Sequence, residues 1–126
     1  MTLSHIAALT DQIVKDCALE TASIFFCDRS DGALSLSYLY HVNVSAEAQA
    51  HYRDHRVFVS DPFVRLPFMQ DGEKAITFHR WGDRRLDPLA RGADDYRSFL
   101  SMHDVAVVGA LSRRITSNLC MVIGTH

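Results

Sequence analysis

Two stretches of strict alternation, one near each end of the chain, constrain the fold more than anything else in the sequence. Ala22, Ile24 and Phe26 alternate with Ser23, Phe25 and Cys27. After the turn cluster Asp28-Arg29-Ser30-Asp31-Gly32 the alternation resumes, with Leu34, Leu36, Tyr38, Tyr40 and Val42 set against Ser35, Ser37, Leu39 and His41. A period of two on both sides of a Gly-containing loop predicts an antiparallel hairpin. Val105–Arg114 and Asn118–Thr125, rich in β-branched residues and separated by Ile115-Thr116-Ser117, predict a second hairpin. In the first, the apolar set Leu34, Leu36, Tyr38, Tyr40 and Val42 is expected to share one face of the second strand.

Helical spacing fills the remainder. Leu3, Ile6, Leu9, Ile13 and Cys17 recur every three or four residues over 3–19, with Thr2 as the cap. Ser45 opens a second helix running to about Arg56, whose apolar face is only Ala48, Tyr52 and His55. Residues 57–70 are irregular and aromatic. There Asp61-Pro62 reads as cap and first helical position, and Pro67 limits the helix to about one turn. Asp71-Gly72 predicts a turn, and Ala75–His79 a short strand with Ile76 and Phe78 on one face. Residues 80–92 predict a loop. Asp94 and Asp95 start a helix whose Tyr96, Phe99, Leu100 and His103 form a stripe.

Strands gathered at the two ends, with helices between, make an α+β pattern and not the alternation of a parallel sheet. The expected architecture is one five-stranded antiparallel sheet with helices packed on its faces. The first helix would cover one face and the aromatic middle segment the other, leaving room beneath that segment for a small-molecule pocket.

Composition narrows the classes. The 126 residues suit a single domain; 48% hydrophobic and 22% charged residues exclude disorder, and a net charge of −2 lacks the basic footprint of a nucleic-acid-binding surface. No apolar run approaches the roughly 20 residues of a membrane helix, and the N-terminus has no secretory pattern. Cys17, Cys27 and Cys120 are too few and too scattered for a disulfide framework or a CxxC knuckle. They read as small hydrophobes in a reducing compartment, so a cytoplasmic location is expected.

Catalytic signatures are missing. GxxxxGK[ST], GxGxxG and GxSxG do not occur, and Cys27 has no Cys–His–Asn context. His51 and His55 lie four apart on one helix face, but Tyr52 occupies the Glu position of HExxH and a third metal ligand would be needed. Arg80, Arg84, Arg85 and Arg91, interleaved with Asp83, Asp87, Asp94 and Asp95, read as a solvated surface. The expectation is therefore a non-enzymatic domain without a metal or cofactor.

Three stretches resemble the GAF/PAS-like sensor domains at the N-terminus of bacterial LuxR-type transcription regulators: "SIFFCDRSDGALSLSYLYHV", "HYRDHRVFVSDPF" and "YRSFLSMHDVAVVGALSRR". The resemblance implies a Tyr and an Asp nine positions later that hold the amide of a signal molecule, matched here by Tyr52 and Asp61. The family's Trp one helical turn before that Tyr is Ala48 in this chain. That departure implies a ligand other than a standard acyl-homoserine lactone. The second aromatic of the family corresponds to Trp81 or Phe78. The ligand-binding set is then Tyr38, Tyr40, Tyr52, Asp61, Phe63, Phe78 and Trp81. For Asp61, which precedes a Pro at a helix start, capping is the favoured reading over ligand contact, though both can hold at once; Tyr52 suits core packing and a pocket role equally. The resemblance further implies a homodimer, ordering of the 45–90 segment on binding, and a further helix and a helix-turn-helix domain after residue 126, through which alone DNA would be met. A ligand-free dimerisation module is the alternative; it predicts a filled interior and an exposed apolar helix face or edge.

Overall fold

A computed structural model describes residues 2–69 and 77–126. Its elements are α1 (Leu3–Asp16), β1 (Ala22–Asp28), β2 (Ser35–Val42), α2 (Ala46–Asp54), α3 (Pro62–Met69), β3 (Thr77–Arg80), the four-residue α4 (Asp87–Ala90), α5 (Asp94–Met102), β4 (Gly109–Thr116) and β5 (Leu119–Thr125). Single 3₁₀ turns precede α3 at Val57–Val59 and α4 at Arg84–Leu86. The five strands form one antiparallel sheet in the order β2-β1-β5-β4-β3. Both hairpins form, and they join in the middle of the sheet through the pairing of β1 with β5. The α+β class and its five-stranded antiparallel sheet are as the alternation predicts.

One irregularity reorganises β2. Phe25 pairs with Tyr38, but its neighbour Ile24 pairs with Tyr40, so Leu39 is an extra residue. Such a bulge reverses the alternation. Tyr38 therefore shares the face of Phe25, whereas Tyr40 shares the face of Ile24, and the single apolar face expected for β2 is divided between both sides of the sheet.

On one face, here called the inner face, Phe25, Cys27, Cys120, Val122 and Ala110 are all buried, under Phe58, Phe63, Val64 and Leu66 of the aromatic segment and Tyr96 and Phe99 of α5. The free thiols Cys27 and Cys120 sit opposite each other in register and are fully buried; Cys17 is exposed. The outer face is covered by α1, which buries only Thr10 and leaves Leu3 and Leu9 more than half exposed.

Several local expectations change. The segment from Pro62 forms two turns of helix, not one, and Pro67 lies inside it. A mid-helix Pro removes an N–H and costs about 3 kcal/mol. Burial of Phe63, Val64, Leu66 and Pro67 against the sheet outweighs this, at about 1.5–3 kcal/mol for each large apolar side chain. The 80–92 loop contains the 3₁₀ turn and α4, and β4 begins at Gly109, not at Val105. The Asp71-Gly72 turn and residues 75 and 76 of the third strand lie outside the described residues.

Candidate functional site

Between the inner face and the helices lies a cavity of about 190 Å³. Its floor is the sheet, through Ser23, Phe25, Ala110, Val122 and Gly124. Ala48, Gln49 and Tyr52 of α2 and Tyr96, Phe99 and Leu100 of α5 wall it, and Val105 and Val107 close one side. The walls are mainly apolar, with polar groups concentrated in a few places.

The first polar group is Asp61. Ser45 caps α2, accepting the Ala48 N–H at 3.1 Å, and so sets the helix phase that turns Ala48 and Tyr52 inward. The Tyr52 hydroxyl donates to Asp61 Oδ2 at 2.6 Å, while Asp61 Oδ1 accepts the Phe63 N–H at 2.9 Å. The capping and ligand-contact readings of Asp61 are thus compatible: one carboxylate starts α3 and also lines the cavity. Asp61 is 4% exposed, and burial lifts its carboxyl to about 7, against the downward pull of its hydrogen bonds from Tyr52, Phe63 and Val64. Each carboxylate oxygen keeps a second lone pair, so the group can still accept a hydrogen bond from a guest. Tyr52 packs on Phe25 and Phe99, with ring centroids 5.7 and 5.3 Å away. Burial, with the Asp61 charge second, holds its phenol well above the usual range.

The second polar group lies at the Ser23 end of β1, where Ser23 pairs with His41 on one side and Gly124 on the other. The His41 ring packs edge-on against Tyr38 at 4.4 Å, and neither of its nitrogens has a hydrogen-bond partner although both are shielded from solvent. The His126 ring lies over Gly124: a Cβ added there would meet Nε2 at 3.4 Å. His126 Nδ1 and the Thr21 hydroxyl are 2.8 Å apart, and backbone bonds tie residue 126 to Glu20 and Thr21. Burial depresses the His126 imidazole to about 4 and lowers that of His41, so both are neutral near pH 7.

Of the seven residues proposed from sequence, four line the cavity together: Tyr38, Tyr52, Asp61 and Phe63. Tyr38 also donates its hydroxyl to the Gln49 carbonyl at 2.9 Å, joining β2 to α2. The other three do not. The bulge turns Tyr40 to the outer face, where its hydroxyl donates to Asp11 of α1 at 3.1 Å. Phe78 is 47% exposed, because the alternation of β3 turns His79 inward instead. Trp81 stacks behind the cavity wall, 5.9 Å from Phe63 and 5.8 Å from Tyr96. Tyr96 and Phe99 could have been found from the α5 stripe. His41 was hidden by the bulge, and His126 by a fold in which residues 21 and 126 meet.

His51 and His55 share a face of α2 with ring centroids 5.0 Å apart, and His51 Nδ1 lies 2.8 Å from Nε2 of His103 at the end of α5. Burial first, then His103 and His55, lowers the His51 imidazole. The short contact ties α2 to α5 beside the cavity, which His103 lines. Among the described residues, no three His, Cys, Asp or Glu side chains are placed to hold a metal ion, and no helix is long and apolar enough to cross a membrane. Neither any protein-family profile nor any curated protein sequence matches this chain.

Proposed function

We propose that the chain is a non-enzymatic small-molecule-sensing domain of the GAF/PAS-like kind found in LuxR-type regulators. It would take its ligand between the sheet and the 45–90 segment and pass the bound state to a dimer or an attached DNA-binding domain. One observation carries this reading: a buried carboxylate, Asp61, shares the wall of an apolar cavity with the phenol that bonds to it. Asp61 can accept an amide N–H or a hydroxyl from the ligand, and the rings of Tyr52, Phe63 and Phe99 supply apolar contact. A domain serving only dimerisation has no use for such a cavity, so its presence favours the sensor reading over that alternative. Ala48 faces the cavity where the family has a Trp, so the donor for a lactone carbonyl is missing. Binding would shift the protein between two states, as any ligand with unequal affinity for them must.

Octanamide, a simple primary amide, tests the Asp61 role by thermal denaturation. At saturation it should raise the melting temperature of the wild type and not that of Asp61→Asn, which keeps a capping side chain at residue 61. An equal rise in both proteins rejects the role. N-octanoyl homoserine lactone should bind no better than octanamide.

A further inference from the structure

Of the Asp, Glu, Lys and Arg side chains among the described residues, only acids line the cavity. Glu20 and Asp104 are exposed, whereas Asp61 is buried. No Lys or Arg lines it, and no ion pair of the described residues reaches Asp61. The partners of this carboxylate are all neutral. They are the Tyr52 hydroxyl at 2.6 Å and backbone N–H groups at the start of α3, with that of Phe63 at 2.9 Å. Those bonds satisfy its oxygens but supply no countercharge. A carboxylate this deeply buried is ordinarily paired with a cation.

The cavity that Asp61 lines is also walled by aromatic rings. Tyr52, bonded to Asp61, packs with its ring centroid 5.7 Å from that of Phe25 and 5.3 Å from that of Phe99. Phe63 and Tyr96 line the same space. Ring faces are electron-rich and attract cations, most strongly where water is excluded. An uncompensated carboxylate in one cavity with five rings is complementary to an organic cation. The carboxylate can accept charge-assisted hydrogen bonds from an ammonium group, and the rings can hold the carbons beside it. Folding has already removed this carboxylate from water, so pairing adds only the desolvation of the guest. An anionic guest would meet like charge.

We propose that the ligand is an organic cation, a protonated amine on an apolar body, whose ammonium group pairs with Asp61 among the aromatic rings of the cavity. This deepens the sensor reading and rests on it, with an ammonium N–H in place of the amide N–H. Asp61 is the group that carries charge there. The titratable groups near it, Tyr52 on α2, Tyr96 on α5 and Cys27 on β1, are all held above their usual ranges and stay neutral. A cation beside Asp61 would favour its ionised form.

Titration calorimetry with octylamine, octanamide and octanoate tests the charge of the guest at constant chain length. At about pH 8 an alkylamine is cationic, and Asp61, at about 7, is mostly ionised. The wild type should bind octylamine about tenfold tighter than octanamide, and octanoate weakest. In Asp61→Asn octylamine should bind no tighter than octanamide. Tyr52→Phe takes a hydrogen bond from the same carboxylate but leaves its charge. Whatever the affinities of the single probes, that variant should keep octylamine ahead, which separates loss of charge from loss of local structure. The ammonium proposal is overturned by octylamine binding the wild type no tighter than octanamide, or by octanoate binding tightest. It is equally overturned by a preference that survives in Asp61→Asn or is lost in Tyr52→Phe. With octanamide still bound by the wild type, each of these results leaves the sensor reading standing. If none of the three probes binds the wild type, the sensor reading and the ammonium proposal fall together.

Discussion

The two faces of the sheet are made from neighbouring residues of the same strands, yet they end in different environments. On β1, Phe25 points inward and is 5% exposed, in edge contact with Tyr38 and Tyr52; the next residue, Phe26, points outward and is only partly buried. The inner face is roofed by several pieces of chain, among them α2, the Val57–Val59 turn, α3, α4 and α5. The outer face has a single amphipathic helix that buries one threonine. Apolar sequence alone therefore does not define a core; the amount of chain available to cover it decides. The inner face receives both the core and the cavity, and the outer face keeps exposed apolar groups such as Phe78.

The sharpest way to break this comparison is truncation on either side of one peptide bond. Phe25→Ala should cost about 3–5 kcal/mol, as expected for a large side chain removed from a packed interior. Phe26→Ala should cost roughly half as much or less. Chemical denaturation of the two variants measures the difference, and equal losses would show that α1 covers its face as fully as the other helices cover theirs.

The next test lies within the inner face, at two titratable groups that line the cavity, Asp61 and His126. An unfolded Asp titrates near 3.9, whereas folded Asp61 does so at about 7, so between these values the folded state holds the extra proton. Its contribution therefore makes stability fall as pH rises from about 4 to 7. His126 acts in the opposite sense. Its imidazole is depressed to about 4 in the fold against about 6.5 unfolded, so stability falls as pH drops from about 6.5 to 4. In the wild type the two effects oppose each other over almost the same window. Asp61→Asn should expose the histidine effect, with stability lost on acidification. His126→Phe should expose the carboxyl effect, with stability gained. Each slope should amount to something on the order of 2 kcal/mol across the window. Urea titrations at pH 4.5 and pH 7 measure both, and parallel behaviour of the two variants would contradict the assignment.

The smallest expected effect concerns the two tyrosines separated by the bulge. Tyr38→Phe loses a partly buried bond to the Gln49 carbonyl and should cost about 1 kcal/mol. Tyr40→Phe loses only an exposed bond to Asp11 and should cost clearly less than Tyr38→Phe. Similar values for the two would place them in similar surroundings and argue against the bulge.

Much of the architecture was legible because it rests on periodicity. Both hairpins, the caps at Thr2 and Ser45, and the α5 stripe follow from local spacing and capping chemistry. The cavity was half legible. Tyr52 and Asp61 are linked through one helix and its neighbour, a distance that sequence spacing can express, and they do meet. Tyr40 and Phe78 were misplaced because a face assignment depends on counting residues by twos. A single extra residue at Leu39 shifts one count, and for β3 nothing in a four-residue strand says which alternate set turns inward. The length of α3 was underestimated because the cost of Pro67 is local, whereas the burial that offsets it comes from strands far along the chain. His126 escaped notice for the same reason: its contact with Thr21 spans 105 residues.

The placement of the cysteines makes the chain its own clock for opening. Cys17 stands in solvent and can be alkylated at once, while Cys27 and Cys120 face each other across the two central strands with no exposed surface. The Cys27 thiol is held well above its usual range, by its hydrogen bond with Cys120 and by burial, so it is unreactive while the sheet is closed. Slow labelling of that pair would time the parting of β1 from β5, and the immediate labelling of Cys17 would count the molecules present.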